Sequence, residues 1–187
     1  TDWSWGALIF DMDNDGYKDI YVSNGIFHDL TDQDFMDFFA NEIIRDMTIT
    51  EIKQDKDNVI DKMPSNPQVN AVFRNNGNLA FSDFSKEWGM DVTSFSNGAA
   101  YGDLDNDGDL DLVVNNINSE AFVFLNNTFD QRKVSKKHSL RIQLKNAVSQ
   151  NQSAFGAKLF LYNGGLVQML EQNPVRGYFS SIDQRLF

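Results

Sequence analysis

The sequence predicts a mainly β protein, built of propeller-type blades that carry a helical insertion and are followed by a small β-rich module. Three observations predict it: an acidic motif repeats at an offset of 92 residues, short β-branched or aromatic runs flank both copies, and the apolar spacing switches to a helical one between about residues 30 and 63.

The repeat defines the first elements. Ser4-Trp-Gly6-Ala7-Leu-Ile-Phe-Asp11 aligns with Ser96-Asn-Gly98-Ala99-Ala-Tyr-Gly-Asp103, and the match continues to Val22 and Val114, so each unit reads strand, acidic loop, strand. Ala71-Val-Phe-Arg-Asn75-Asn76-Gly77 and Ala80-Phe-Ser-Asp-Phe84 read as a third and fourth strand joined by an Asn-Gly hairpin turn. Four strands per unit describe a blade. The second unit repeats its third strand as Ala121-Phe-Val-Phe-Leu-Asn126-Asn127, and there the pattern stops.

The loops are Asp11-Met-Asp13-Asn-Asp15-Gly16-Tyr-Lys-Asp19 and Asp103-Leu-Asp105-Asn-Asp107-Gly108-Asp-Leu-Asp111. Carboxylates at positions 1, 3 and 5 can converge on a hard cation, glycine at 6 permits the sharp turn, and the carbonyl at 7 adds an oxygen. Two calcium sites are expected. The first uses Asp11, Asp13, Asp15, Asp19 and the Tyr17 carbonyl; the second uses Asp103, Asp105, Asp107, Asp111 and the Asp109 carbonyl. An EF-hand is excluded, because position 12 is Val22 or Val114 instead of Glu and the flanks suit strands rather than helices. The competing reading, an Asp/Asn/Gly-rich turn that binds nothing, has to explain two copies with matched spacing.

Within the first unit, Thr31 can cap a helix with Asp34 at N3, and Phe35, Phe38, Phe39, Ile43 and Met47 follow i, i+3, i+4 spacing. Thr48 and Glu51 form a second capping box before Ile52, Val59 and Ile60, and Pro64 ends the run. A helical hairpin inserted into a blade is expected, its aromatic stripe inward and Asp37, Glu42, Asp46 and Glu51 outward. Repeats then occupy residues 1–129, a polar, basic linker 130–137, and a different module 138–187. In that module His138-Ser-Leu-Arg-Ile-Gln-Leu144 alternates as a half-buried strand, and Ala157-Lys-Leu-Phe-Leu-Tyr162 with Leu166-Val-Gln-Met-Leu170 flanks Asn163-Gly164-Gly165 as a hairpin.

Composition narrows the function classes. The net charge is −11, and four acidic residues of the first loop plus five of the second account for much of it. Two calcium ions would offset four charges, and what remains still disfavours a phosphate-backbone partner. There is no cysteine, hence no disulfide framework, and no run of about 18 apolar residues that would span a membrane. The chain starts at Thr1 and stops at Phe187 without a signal peptide, and is expected to be an excerpt of a longer protein with its C-terminal module cut short.

These residues resemble the FG-GAP/VCBS repeat proteins, whose Asp-rich loops are similar to those of the integrin α-chain propeller. Phe95-Ser-Asn-Gly98-Ala-Ala-Tyr-Gly-Asp103 with Val113-Val-Asn115-Asn116 is similar to the VCBS-repeat proteins of Bacteroidota. Phe155-Gly156-Ala157-Lys158, Asn163-Gly-Gly165, Gln168, Arg176-Gly177-Tyr178-Phe179-Ser180-Ser181 and Arg185-Leu186-Phe187 resemble the ASPIC/UnbV domain of cartilage-acidic-protein relatives. The resemblance implies an extracytoplasmic setting, secreted or at the cell surface, and propellers of about seven blades, of which this chain supplies one interrupted blade and part of another.

The function expected is a calcium-stabilised binding scaffold for a protein or glycan, with calcium structural. His28 and His138 are far apart, and no Gly-x-Ser-x-Gly or His-Glu-x-x-His motif occurs, so no catalytic constellation is recognised. The alternative is a glycan-processing enzyme using carboxylates outside the loops, such as Glu42, Asp46 or Glu51. Nucleic-acid binding conflicts with the acidic balance.

Overall fold

The computed structural model describes residues 3–29, 31–50, 63–128, 139–148 and 150–187, and within the helix the side chains at 40, 43, 44 and 46–50 also lie outside that description. β1 (Ser4–Phe10) and β2 (Asp19–Asn24) pair antiparallel across the first acidic loop. The chain then enters α1 (Gln33–Thr50), returns through β3 (Gln68–Val69), and adds β4 (Ala71–Asn75) and β5 (Phe81–Asp83). The resulting sheet has the order β1-β2-β4-β5. β6 (Thr93–Ser94) pairs with β3. β7 (Ser96–Gly102), β8 (Asp111–Asn116) and β9 (Phe122–Phe124) form a three-stranded sheet around the second loop, and β10 (Lys158–Asn163) with β11 (Leu166–Glu171) forms a separate hairpin. The protein is mainly β, as expected.

The 92-residue repeat is reproduced in hydrogen bonds as well as strands. Ser4 Oγ donates to Asn24 Oδ1 at 2.7 Å, and Ser96 Oγ donates to Asn116 Oδ1 at the same distance. Both first strands carry an irregularity beside their glycine, between Ser4 and Gly6 and between Ser96 and Ala99. The two sheets share one core. Leu8, Phe10, Tyr21 and Val72 of the first meet Ala99, Leu112 and Val114 of the second, with Met12 and Leu110 contributed by the loops. Phe10 stacks on Tyr101 at 4.2 Å between centroids. Beside this apolar layer, Asn70 Nδ2 donates to Ser96 Oγ at 2.9 Å, and Ser23 Oγ donates to the Asn97 carbonyl at 2.6 Å. Buried polar groups there are paired across the seam, which fixes the register between sheets.

Tyr21 is the exception. It is fully buried, its hydroxyl meets no hydrogen-bond partner among the described residues, and burial pushes its phenol above the usual range. An unpaired buried hydroxyl costs about 1–3 kcal/mol. Tyr21→Phe is expected to stabilise the fold by about 1 kcal/mol in urea denaturation; a loss of stability would mean that the hydroxyl is satisfied in solution.

The insertion lies where the sequence places it, between the second and third strands of the first sheet, and Asp29 N donates to the Pro64 carbonyl at 3.2 Å across its ends. Its details differ. The cap of α1 is Asp32, whose Oδ1 accepts Phe35 N at 2.9 Å, while Thr31 instead donates through N and Oγ1 to Asp29 Oδ1. A carboxylate one residue later competes better for the first-turn amides. α1 also runs through Thr48 to Thr50, so no helix begins at Thr48; Glu51, Ile52, Val59 and Ile60 lie outside the described residues. Phe39 is buried and stacks on Phe35 at 5.2 Å, but Phe38 is 69% exposed, so the inward stripe is narrower than its spacing suggested.

In the C-terminal part, the hairpin β10–β11 forms, turning at Gly164 and Gly165 with φ of 56° and 90°. The expected strand at 138–144 reduces to one bridge, Ile142 to Leu186. The residues expected to form the linker, 130–137, lie outside the described residues. Residues 177–180 lie directly against the repeats. A Cβ on Gly6 would sit 2.7 Å from Tyr178 N, and one on Gly98 would sit 3.1 Å from Ser180 Oγ.

Candidate metal centre

Both loops adopt the same backbone. Position 4 is left-handed in each, at Asn14 (φ 54°) and Asn106 (φ 65°), and position 6 is again positive, at Gly16 (φ 95°) and Gly108 (φ 102°). Asparagine tolerates the left-handed region and glycine enters it freely, which is why the Asp-x-Asp-Asn-Asp-Gly spelling can fold back on itself. The turn brings carboxylates together: Asp11, Asp13 and Asp15 in the first loop, and Asp103, Asp105 and Asp111 in the second, each set with oxygens within 4.8 Å of one another. Asp19 and Asp107 are not in those sets. Asp109 is fully buried and Tyr17 is largely exposed.

Position 9 has a second task. Asp19 is buried, and its Oδ2 accepts Met12 N at 2.9 Å while Oδ1 accepts Asn75 N at 2.8 Å. Asp111 repeats this with Leu104 N at 2.7 Å and Asn126 N at 2.8 Å. One carboxylate therefore staples the start of each loop to the end of β4 in the first unit and to the residues just beyond β9 in the second. The asparagines repeat too: Asn75 Nδ2 donates to the Lys18 carbonyl, and Asn126 Nδ2 donates to the Leu110 carbonyl and to the Met12 carbonyl of the other loop at 2.7 Å. Asn126 thus ties the two loops to each other.

Two arginines also reach the acidic clusters. Arg74 of β4 bonds Asp13 at 2.7 Å and Asp15 at 3.0 Å, and Arg141 donates to Asp103 while its guanidinium lies 5.0 Å from the Phe187 ring centroid. Asn75 and Asn126 could have been found from sequence, since both end the third strand of their unit. Arg74 aligns with Leu125, and Arg141 comes from beyond the repeats, so no repeat signal marks either arginine.

The electrostatics favour an added cation. Burial is the main cause that raises the carboxyl of Asp11 and pushes that of Asp19 up to about 6, against the lowering effect of the backbone amides each accepts. Asp103 is 6% exposed, and its Oδ1 is buried with no hydrogen-bond donor among the described residues, although Arg141 holds the other oxygen. An oxygen-only donor set with an unsatisfied buried carboxylate oxygen fits a hard divalent cation. Of the carboxylates weighed for catalysis, Glu42 is half-buried on α1, whereas the Asp46 side chain and Glu51 lie outside the described residues.

Comparison with known families completes the picture. Residues 55–114 match the family model of the FG-GAP-like repeat, which takes in the second loop, and residues 147–187 match that of ASPIC and UnbV. The chain carries an FG-GAP-like repeat followed by an ASPIC/UnbV domain. No curated protein and no solved structure gives a significant match. The FG-GAP-like match ends at Val114, the last position shared by the two copies, and the first copy, upstream of the matched residues, has the same left-handed positions. No helix among the described residues is long and apolar enough to cross a membrane.

Proposed function

We propose that this chain is part of a calcium-stabilised extracytoplasmic β-propeller, a scaffold that binds a protein or glycan partner. The observation that carries the reading is the duplicated loop: two copies in matched positions of two sheets, with the same left-handed residues, each gathering three carboxylates within 4.8 Å. Asp11, Asp13 and Asp15 would hold one ion and Asp103, Asp105 and Asp111 the other, with Asp19, Asp107 and the carbonyls of Tyr17 and Asp109 as further oxygens. Bound calcium supplies positive charge that lets these carboxylates share one turn. The four-stranded sheet and its three-stranded neighbour are then successive blades. An FG-GAP-like repeat and an ASPIC/UnbV domain support an extracellular repeat scaffold. There, roughly 10⁻⁴–10⁻³ M affinity suffices for a structural site. Calorimetric titration of the chain should show two calcium ions taken up, one lost in Asp13→Ala and the other in Asp105→Ala; no uptake by the unaltered chain would reject the reading.

The enzymatic alternative has one observation behind it. A cleft of about 500 Å³ between β4 and residues 83–91 is lined by Asp83, Glu87 and Asp91, carboxylates outside the loops. Glycoside hydrolysis needs one carboxyl with a raised pKa as general acid, whereas Ser85 donates to Asp83 through both Oγ and N and lowers its pKa. This keeps Asp83 from the general-acid role. Release of reducing ends from a polysaccharide panel, abolished in Glu87→Gln, would establish hydrolysis at this cleft.

The insertion is the partner-specific element of this scaffold. Because Asp29 and Pro64 close its ends by a backbone hydrogen bond, replacing residues 30–63 by a short Gly/Ser linker is expected to leave the calcium-dependent melting intact and to weaken capture of the partner. Normal capture by the shortened chain would make the insertion a packing element only.

A further inference from the structure

We propose that the cleft between β7, β8 and residues 178–181 binds a neutral sugar. This rests on the reading of the chain as a binding scaffold, and it adds a ligand class and a seat that includes no residue of the insertion. The cleft is open to solvent and offers about 450 Å³, and the side chains around it are those of Asn97, Asn115, Tyr178, Phe179, Ser180 and Ser181. That volume falls within the roughly 300–1,000 Å³ typical of small-molecule sites. Residues 98–100, glycine and alanine, line it on the β7 side, and at Gly98 the small residue lets Ser180 and Tyr178 approach the strand closely.

The lining residues include no Asp, Glu, Lys, Arg or His. Charge therefore recognises nothing here, and a phosphate, a sulfated sugar or an acidic peptide has no counter-ion. What remains is amide, hydroxyl and ring. Gly98 N donates to Asn97 Oδ1 at 2.6 Å, and a backbone N–H can only donate, so the orientation of that amide is fixed. Asn115 Nδ2 then donates to the same Oδ1 at 2.9 Å, which fixes the second amide. Asn97 Nδ2 is left as a donor and Asn115 Oδ1 as an acceptor, both on residues that line the cleft. A donor and an acceptor on the wall of one cleft suit sugar hydroxyls, each of which both gives and takes a hydrogen bond. Ser180 Oγ donates to the Tyr178 carbonyl at 2.7 Å and keeps its lone pairs for a ligand hydroxyl.

The rings provide the other half of the site. Phe179 is 95% exposed and its backbone is left-handed, φ 46°, a conformation that bulky residues avoid. Neither burial nor backbone preference accounts for phenylalanine there. Its ring meets Tyr178 edge-on at 4.7 Å, and the row continues to Trp5 at 5.0 Å and Trp3 at 5.8 Å. Aromatic faces carry negative charge density and attract the positive C–H bonds on the flat side of a sugar ring. A proline-rich peptide would also use such rings, but it seeks an apolar groove, and here two amides and two hydroxyls face the ligand.

The test is calorimetry on the whole chain in calcium, with neutral oligosaccharides of glucose, mannose, galactose and xylose, sulfated and sialylated oligosaccharides, and a proline-rich peptide as probes. At least one neutral oligosaccharide should bind, and Phe179→Ala and Asn115→Ala, both at exposed positions, should each weaken it about tenfold or more, with melting temperature and calcium uptake unchanged. Binding of acidic sugars or the peptide alone, or unchanged affinity in both variants, overturns the proposal. Absence of any sugar binding with calcium uptake intact overturns the sugar site and leaves the calcium scaffold standing. Sugar binding without calcium uptake does the reverse.

Discussion

Chelating calcium should lower the melting temperature of this chain by roughly 10–20 °C when the reference sample holds calcium at about 100 times its dissociation constant. Each independent site then contributes about 2.7 kcal/mol, provided the unfolded chain does not bind, and in a chain of this size each kcal/mol moves the midpoint by about 2–4 °C. The structure says where the loss should be felt. Asp19 and Asp111 bond the amides of Asn75, the last residue of β4, and of Asn126, just beyond β9, and Asn126 bridges the two loops through the Met12 and Leu110 carbonyls. Loosening one loop therefore loosens the sheets on both sides. Arg74 and Arg141 temper the effect, because each places a guanidinium on carboxylates that would otherwise repel. Asp13→Ala and Asp105→Ala should each remove about half of the calcium-dependent shift, measured by calorimetry with and without chelator. A midpoint indifferent to chelator would show that the arginines and backbone amides alone hold the loops.

The repeat made most of the fold legible. Strands six and seven residues long with matched neighbours at a fixed offset were readable because alternation and turn chemistry agree at Ser4, Gly6 and Asp11 and again at Ser96, Gly98 and Asp103. β3 and β6, two residues each, carry no periodicity to read. The strand expected at 138–144 kept its alternation, with Ile142 and Leu144 half-buried. It found a partner only at Leu186, since alternation reports which side of a segment is covered and says nothing of whether another strand's edge is there to pair with. The same limit explains the site. The acidic spacing announces a turn that gathers carboxylates, but Arg141 is more than 30 residues from Asp103 in sequence, and its arrival depends on how the C-terminal part docks. Cap choice is more local still: Asp32 is the stronger cap of the two, and Asp29, which takes up the Thr31 hydroxyl, reinforces that choice.

That docking depends on two glycines of the repeat, and altering the tighter one should detach the C-terminal segment. A Cβ at Gly6 would lie 2.7 Å from the backbone nitrogen of Tyr178 and 3.1 Å from its Cβ, so the segment itself must move. At Gly98 the nearest atoms are Ser180 Oγ at 3.1 Å and the Tyr178 carbonyl at 3.3 Å, and a hydroxyl can rotate away. Crowding of backbone against backbone costs about 1–3 kcal/mol, which here is about 2–12 °C in melting temperature. Gly6→Ala is expected to show the full loss and Gly98→Ala a smaller one. The loss should be local. Hydrogen exchange should speed up at residues 174–181, where Gly177 otherwise packs toward Leu8 and the Ala99 carbonyl, while the amides of β2 and β8 stay protected by the shared core. Uniform loss of protection in Gly6→Ala would mean that the C-terminal segment and the two sheets unfold as one unit; unchanged exchange at 174–181 would mean that the segment is not seated on β1 in solution.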